Sequence, residues 1–124
     1  RPVVAFDLLI NNADRKGSHV MIDPDGHLWL IDHGVCFHVE DKLRTVIWDF
    51  VGQPLGEDLC SSLAEFHNKL SDTAEGESAL FQPLKPYLSR GEIKALRNRA
   101  EKLVTHSVFP PPDPYRRPYP WPQI

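Results

Sequence analysis

Cysteine, methionine and glycine are scarce in this chain of 124 residues, with two, one and seven copies, and each shortage excludes something. Cys36 and Cys60 have no metal-ligand spacing, so neither a disulfide scaffold nor a structural zinc site is expected, and a reduced, cytoplasmic protein is the default. The glycines form neither G-x-G-x-x-G nor G-x-x-x-x-G-K, so these residues offer no phosphate-cradling loop of either kind. No apolar run approaches the roughly 20 residues of a membrane-spanning helix, and no signal-peptide pattern is visible at the start. Basic residues are the minority, 14 against 17 acidic ones, and they are scattered; the net charge of -3 argues against nucleic acid as a partner. No internal repeat is detectable. A hydrophobic content of 41% supports one modest globular core.

The informative residues are concentrated in the first third. Asn12-Ala13-Asp14-Arg15-Lys16-Gly17-Ser18-His19 follows an apolar helical segment, and Ile31-Asp32-His33-Gly34 comes shortly after. Between them, Val20-Met21-Ile22 and Leu28-Trp29-Leu30-Ile31 read as short strands. Asp23-Pro24-Asp25-Gly26 joins them with turn chemistry: proline pre-sets φ and glycine accepts a positive one. A hairpin reverses the chain once, so Asp14 and His19 at its entry and Asp32 at its exit share one edge, and the two carboxylates are expected within about 10 Å. Phosphoryl transfer needs such a pair, one carboxylate for the proton of the attacking hydroxyl and one for a divalent metal on the phosphates.

Phe6-Asp7-Leu8-Leu9-Ile10-Asn11-Asn12-Ala13-Asp14-Arg15, taken with Ile31-Asp32-His33-Gly34, resembles the C-lobe of the phosphatidylinositol 3-/4-kinase-like superfamily. The likeness is closest to an uncharacterised, mostly actinobacterial branch with an Asp-Arg-Lys-Gly-x-His loop, an Ile-Asp-His-Gly motif and a Pro-Trp-Pro ending. It is strong over residues 3 to 52, plausible over 109 to 124 and weak between them. The resemblance implies an α+β, mainly helical fold: a protein-kinase-like C-lobe with a catalytic-loop β-hairpin over residues 1–108, and a Pro-rich arm over 109–124. It puts Asp14 at the catalytic base, with Arg15 and Lys16 beside it in the catalytic loop, and Asp32 at the metal-binding position. Asn12, His19 and His33 are the expected cofactor contacts, His19 doubling as a metal ligand because it falls where the family has an Asn. A histidine nitrogen suits manganese, zinc or iron better than magnesium. The cofactor implied is ATP with magnesium or manganese in the intact protein.

The chain opens at Arg1 on an apolar segment that should be buried on most sides. By the resemblance, a β-rich N-lobe carrying the nucleotide-binding lysine is expected upstream. The fragment alone is then expected to be inactive, to hold no nucleotide, and to cover its apolar surface with the arm or a second copy of itself. The other expected partner is a phospho-acceptor of unknown kind.

Each candidate also has an ordinary role open to it. Asp14 can cap a helix end with Arg15 as its solvated partner, Asp32 can close a turn before Gly34, and Lys16 can be a surface charge. Asn12 can orient the loop through side-chain-to-backbone bonds, His33 can serve packing, and His27 sits in the turn. Within Val35 to Val51, the segment that should correspond to the activation or substrate loop, Lys42 and Arg44 suit an acidic substrate or headgroup, whereas Trp48 and Phe50 suit core packing.

Downstream, Pro54 fits a first helical position, and Leu55, Leu59, Leu63, Phe66 and Leu70 recur at helical steps. Residues 71–78 read as a loop, and 79–88 as a short helix interrupted by Pro83 and Pro86. Ser89 with Glu92 forms a capping box for a helix reaching about His106. Seven of the twelve prolines fall between Pro110 and Pro122, which predicts an extended arm with Tyr115, Tyr119 and Trp121 as anchors. Two other functions fit the motifs: a non-catalytic scaffold with the kinase-like fold, and a His/Asp metal-dependent phosphohydrolase drawing on the four histidines between residues 19 and 38.

Overall fold

A computed structural model describes residues 1–71 and 79–124. The element order is α1 (Pro2–Ile10), a 3-10 turn (Gly17–His19), β1 (Val20–Ile22), β2 (Leu28–Leu30), α2 (Glu57–Leu70), α3 (Phe81–Leu84) and α4 (Arg90–His106). The described residues thus make a small, mainly helical α+β unit with one two-stranded antiparallel sheet. None of the described helices is long and apolar enough to cross a membrane.

Proline stands at the start of α1, where its missing N–H costs nothing, and Asn11 ends the helix in the left-handed conformation (φ 56°). As its composition predicts, α1 is covered on most sides: Val4, Ala5 and Ile10 are buried, and Phe6 remains exposed. Val4 and Ala5 meet Leu55, Leu63 of α2, Leu103 of α4 and Phe109 in one core cluster. A second cluster joins Leu70, Phe81, Ile93 and Leu96. The capping box is present, with Ser89 Oγ accepting from the Glu92 N–H and Glu92 Oε1 accepting from the Ser89 N–H.

The hairpin pairs Val20 with Leu30, Met21 with Trp29 and Ile22 with Leu28. Gly26 takes the positive φ (82°) of the turn, and Asp23 organises it by accepting from the Asp25 and His27 N–H groups and from Trp29 Nε1. These bonds hold the Asp23 carboxyl below the usual carboxylate range, the Trp29 bond contributing most. The apolar side chains Met21, Ile22, Leu28 and Trp29 are all exposed.

Three expectations need correction. Pro54 does not open α2: Gly56 (φ 93°) breaks the run, Leu55 donates to the Ser107 carbonyl, and the helix starts at Glu57. The stretch 79–88 holds one helical turn, Phe81–Leu84, and Pro83 sits inside that turn instead of interrupting it. Pro86, which has no N–H to continue the ladder, lies beyond its end as expected. The arm does lie on the rest of the chain, but Tyr115, Tyr119 and Trp121 are exposed, at 95%, 41% and 74%. Its anchors are the buried Phe109 and Pro120 and two backbone carbonyls: Pro118 accepts from the Thr45 N–H, and Gln123 from the Gly17 N–H. Apart from Ser71, the loop expected at 71–78 lies outside the described residues.

Candidate functional site

The loop between α1 and the hairpin is held by backbone pairing on both sides. The Ala13 N–H donates to the Val35 carbonyl, Arg44 to Asn12, and Arg15 and Val46 pair with Arg44 and Arg15 in turn. Thr45, beside this ladder, is buried and reaches the arm through Pro118. The segment expected as an activation or substrate loop therefore supports the Asn12-Ala13-Asp14-Arg15 loop through its backbone at Val35 and at Arg44 to Val46. Asn11 pins it further, its side chain donating to the His38 and Glu40 carbonyls and accepting from the Lys42 N–H.

Asp14, His19 and Asp32 come together at the open end of the hairpin, each offering a ligand atom within 4.8 Å of the others. The cause is local. The Ile31 N–H donates to the His19 carbonyl and extends the β1–β2 pairing toward the loop, so entry and exit stay adjacent. Asp32 leaves the hairpin with φ 58°, a left-handed turn that aspartate tolerates better than most residues. His19 is buried and its Nε2 stands 3.4 Å from Asp32 Oδ2; the Asp14 side chain is partly exposed and that of Asp32 mostly so. Lys16 Nζ lies 3.6 Å from Asp14 Oδ2 at the rim. Ligands about 2.1 Å from one ion stand roughly 3 to 4 Å apart, so small side-chain rotations would close this set on a divalent cation.

Arg15, expected beside Asp14 in catalysis, is fully buried. Its Nε and Nη2 donate to the two oxygens of Asp7, both at 2.8 Å. Nη1 donates to the His19 and Ile31 carbonyls at 3.2 Å, and Nη2 also faces His33 Nε2 at 3.1 Å. All five guanidinium donors are thus occupied by protein groups, and none is left for a phosphate. The His19 and Ile31 carbonyls flank the hairpin's open end, so Arg15 bolts the two strands together and positions the carboxylate cluster. His33 accepts from Arg15, packs edge-on to Phe6 and stands outside the three-residue set.

Asn12 is buried as well, donating to Asp7 Oδ1 and accepting from the Asp14 N–H. It orients the loop, one of the two roles its position suggested. Sequence reasoning did not single out Asp7 or Asn11. The signal for Asp7 was available: it is the only charged residue within α1, eight positions before an arginine.

Cys36 lies near this machinery. Burial pushes its thiol up to about 11, the Asp7 and Asp32 carboxylates add to the rise, and Arg15 and Arg99 oppose it. Because the thiolate is the nucleophile, iodoacetamide alkylation of Cys36 in a Cys60→Ser variant, with EDTA present, should accelerate about tenfold per pH unit from pH 7 to 10. A rate that levels off below pH 9 would show that the thiol is not buried in this way.

Over 122 residues the chain is 43% identical to a protein of Mycobacterium tuberculosis (strain ATCC 25618 / H37Rv) named Protein Rv2133c. The match covers 98% of this chain and 41% of that protein, so the chain spans about two fifths of its relative's length. No family model matches the chain, and no solved structure matches it.

Proposed function

We propose that this chain is the C-lobe of a cytoplasmic, ATP-dependent phosphotransferase of the phosphatidylinositol 3-/4-kinase-like type. The observation that carries the reading is the convergence of Asp14, His19 and Asp32 at the open end of one hairpin. Asp14 accepts the proton of the attacking hydroxyl, and the Asn12 side chain fixes its backbone. Asp32 and His19 would hold a divalent metal, which neutralises phosphate charge when bound. Lys16, at the rim, is placed to meet a phosphate oxygen. The exposed apolar hairpin is the surface against which a nucleotide-binding lobe or a second copy would pack.

A second reading, a non-catalytic scaffold, is favoured by the hydrogen bonding of His19. Its Nδ1 accepts from the Lys16 N–H at 3.5 Å, which leaves a proton on Nε2 to bind Asp32. Metal ligation through Nε2 requires the other tautomer and the loss of that Lys16 bond, a small cost for so long a contact.

Calorimetric titration of the intact protein with magnesium or manganese, with and without an ATP analogue, separates the possibilities. Metal binding that strengthens at least about tenfold with nucleotide is expected for the phosphotransferase. Tight transition-metal binding without nucleotide would point to the hydrolase, and the absence of binding to the scaffold.

A further inference from the structure

A cavity of about 520 Å³ lies between α4, the segment around residues 39–48 and the C-terminal arm, and it includes none of Asp14, His19 and Asp32. Its size falls in the range of small-molecule sites. We propose that it binds a small anionic amphiphile, an apolar body carrying one negatively charged head.

The walls are built rather than accidental. Leu8, Leu43, Trp48, Leu103 and Val108 supply apolar lining from four parts of the chain. The arm adds Pro110, Pro111, Pro112 and Pro118 to the lining, and their locked φ angles hold its course. Pro118 is tied down twice by its carbonyl, which accepts from the Thr45 N–H at 3.0 Å and from Trp48 Nε1 at 3.3 Å. The groove therefore exists before any ligand arrives.

Its charge is opposite to that of the chain. Arg99, Lys102, Arg116 and Arg117 line it against Asp41 and Asp113, so four positive and two negative groups leave +2 there, in a chain whose net charge is -3. Asp113 is engaged by Arg116 at 3.5 Å. Lys102 has no ion-pair partner among the described residues, and Arg117 lies over the Trp121 ring. Arg99 donates to the Leu9 and His38 carbonyls, while its Nη2 is buried with no acceptor among the described residues. Uncompensated positive charge over an apolar floor selects a negative head and rejects a cationic one. The apolar floor gives a bare inorganic anion nothing further to bind, whereas a hydrocarbon body is stabilised there by its removal from water.

The test is calorimetric titration of the full chain with octyl phosphate, octanoate, ethyl phosphate and octyltrimethylammonium. Octyl phosphate or octanoate should bind more than about tenfold tighter than ethyl phosphate, and the cationic amphiphile should not bind. The tighter of the two octyl anions identifies the head as phosphate or carboxylate. Exchanging the two exposed cations that have no carboxylate partner among the described residues, Lys102→Glu with Arg117→Glu, should weaken the octyl anion at least about tenfold while leaving the thermal midpoint in place. Asp32→Asn should leave that affinity unchanged, which keeps this site separate from the phosphotransfer reading. Equal binding of the anionic and cationic amphiphiles would overturn the proposal. So would ethyl phosphate matching octyl phosphate, or indifference to the double charge reversal.

Discussion

Asp7→Ala is expected to lower the stability of this protein by about 3 to 5 kcal/mol, because it strands the buried guanidinium of Arg15 without its counter-charge. Both side chains are essentially inaccessible, at 0% and 1% exposure, so water cannot take over the lost bonds. Total stabilities of about 5 to 15 kcal/mol leave little margin for such a loss. Urea unfolding followed by circular dichroism should show the midpoint falling by roughly 2 M, given slopes of about 1 to 3 kcal/mol per M. The double replacement Asp7→Leu with Arg15→Met should recover much of that loss, since it removes the charge as well as its partner. It should not restore the site, because Arg15 also binds the His19 and Ile31 carbonyls at the hairpin's open end. A loss below about 1 kcal/mol for Asp7→Ala would mean that the pair is solvated.

Under the proposed phosphotransferase reading, Asp32→Asn should abolish ATP-dependent phosphotransfer in the intact protein and weaken metal binding with it. Asp14→Asn should cut turnover by about 10² to 10⁴-fold, the usual contribution of a positioned general base, while metal and nucleotide still bind. The difference follows from the roles assigned above. All three cluster residues could reach a cation, but the proposed roles give the metal to Asp32 and His19, which stand 3.4 Å apart, and give Asp14 the hydroxyl of the acceptor. Parallel turnover and metal-titration measurements on both variants decide this. Equal loss of metal binding in the two would contradict the division, and undiminished turnover by Asp32→Asn would remove the phosphotransfer reading.

The features readable from the sequence depend on near neighbours. The hairpin needs only Asp23-Pro24-Asp25-Gly26 and its flanking apolar runs, and the resulting reversal carries Asp14 and Asp32 to one edge. The Ser89–Glu92 box starts α4 through contacts three residues apart. The start of α2 is not legible in the sequence: Leu55 continues the helical stripe, yet Gly56 breaks the backbone and Leu55 packs with Phe109, 54 positions later.

Arg15 gives the clearest division. Its position beside Asp14 is a fact of sequence, and an arginine in that motif is compatible with either a phosphate contact or a structural bolt. Its burial comes from Asp7, the Ile31 carbonyl and His33, which stand 8, 16 and 18 residues away in the chain. The groove likewise exists only where α4 and the proline arm meet. By itself, then, the sequence determined the elements, the turn and the convergence of the carboxylates, because short-range sterics and hydrogen bonds set the direction of a hairpin. Only the tertiary structure decided which charges are buried and which face solvent, because desolvation depends on every segment that packs around a group.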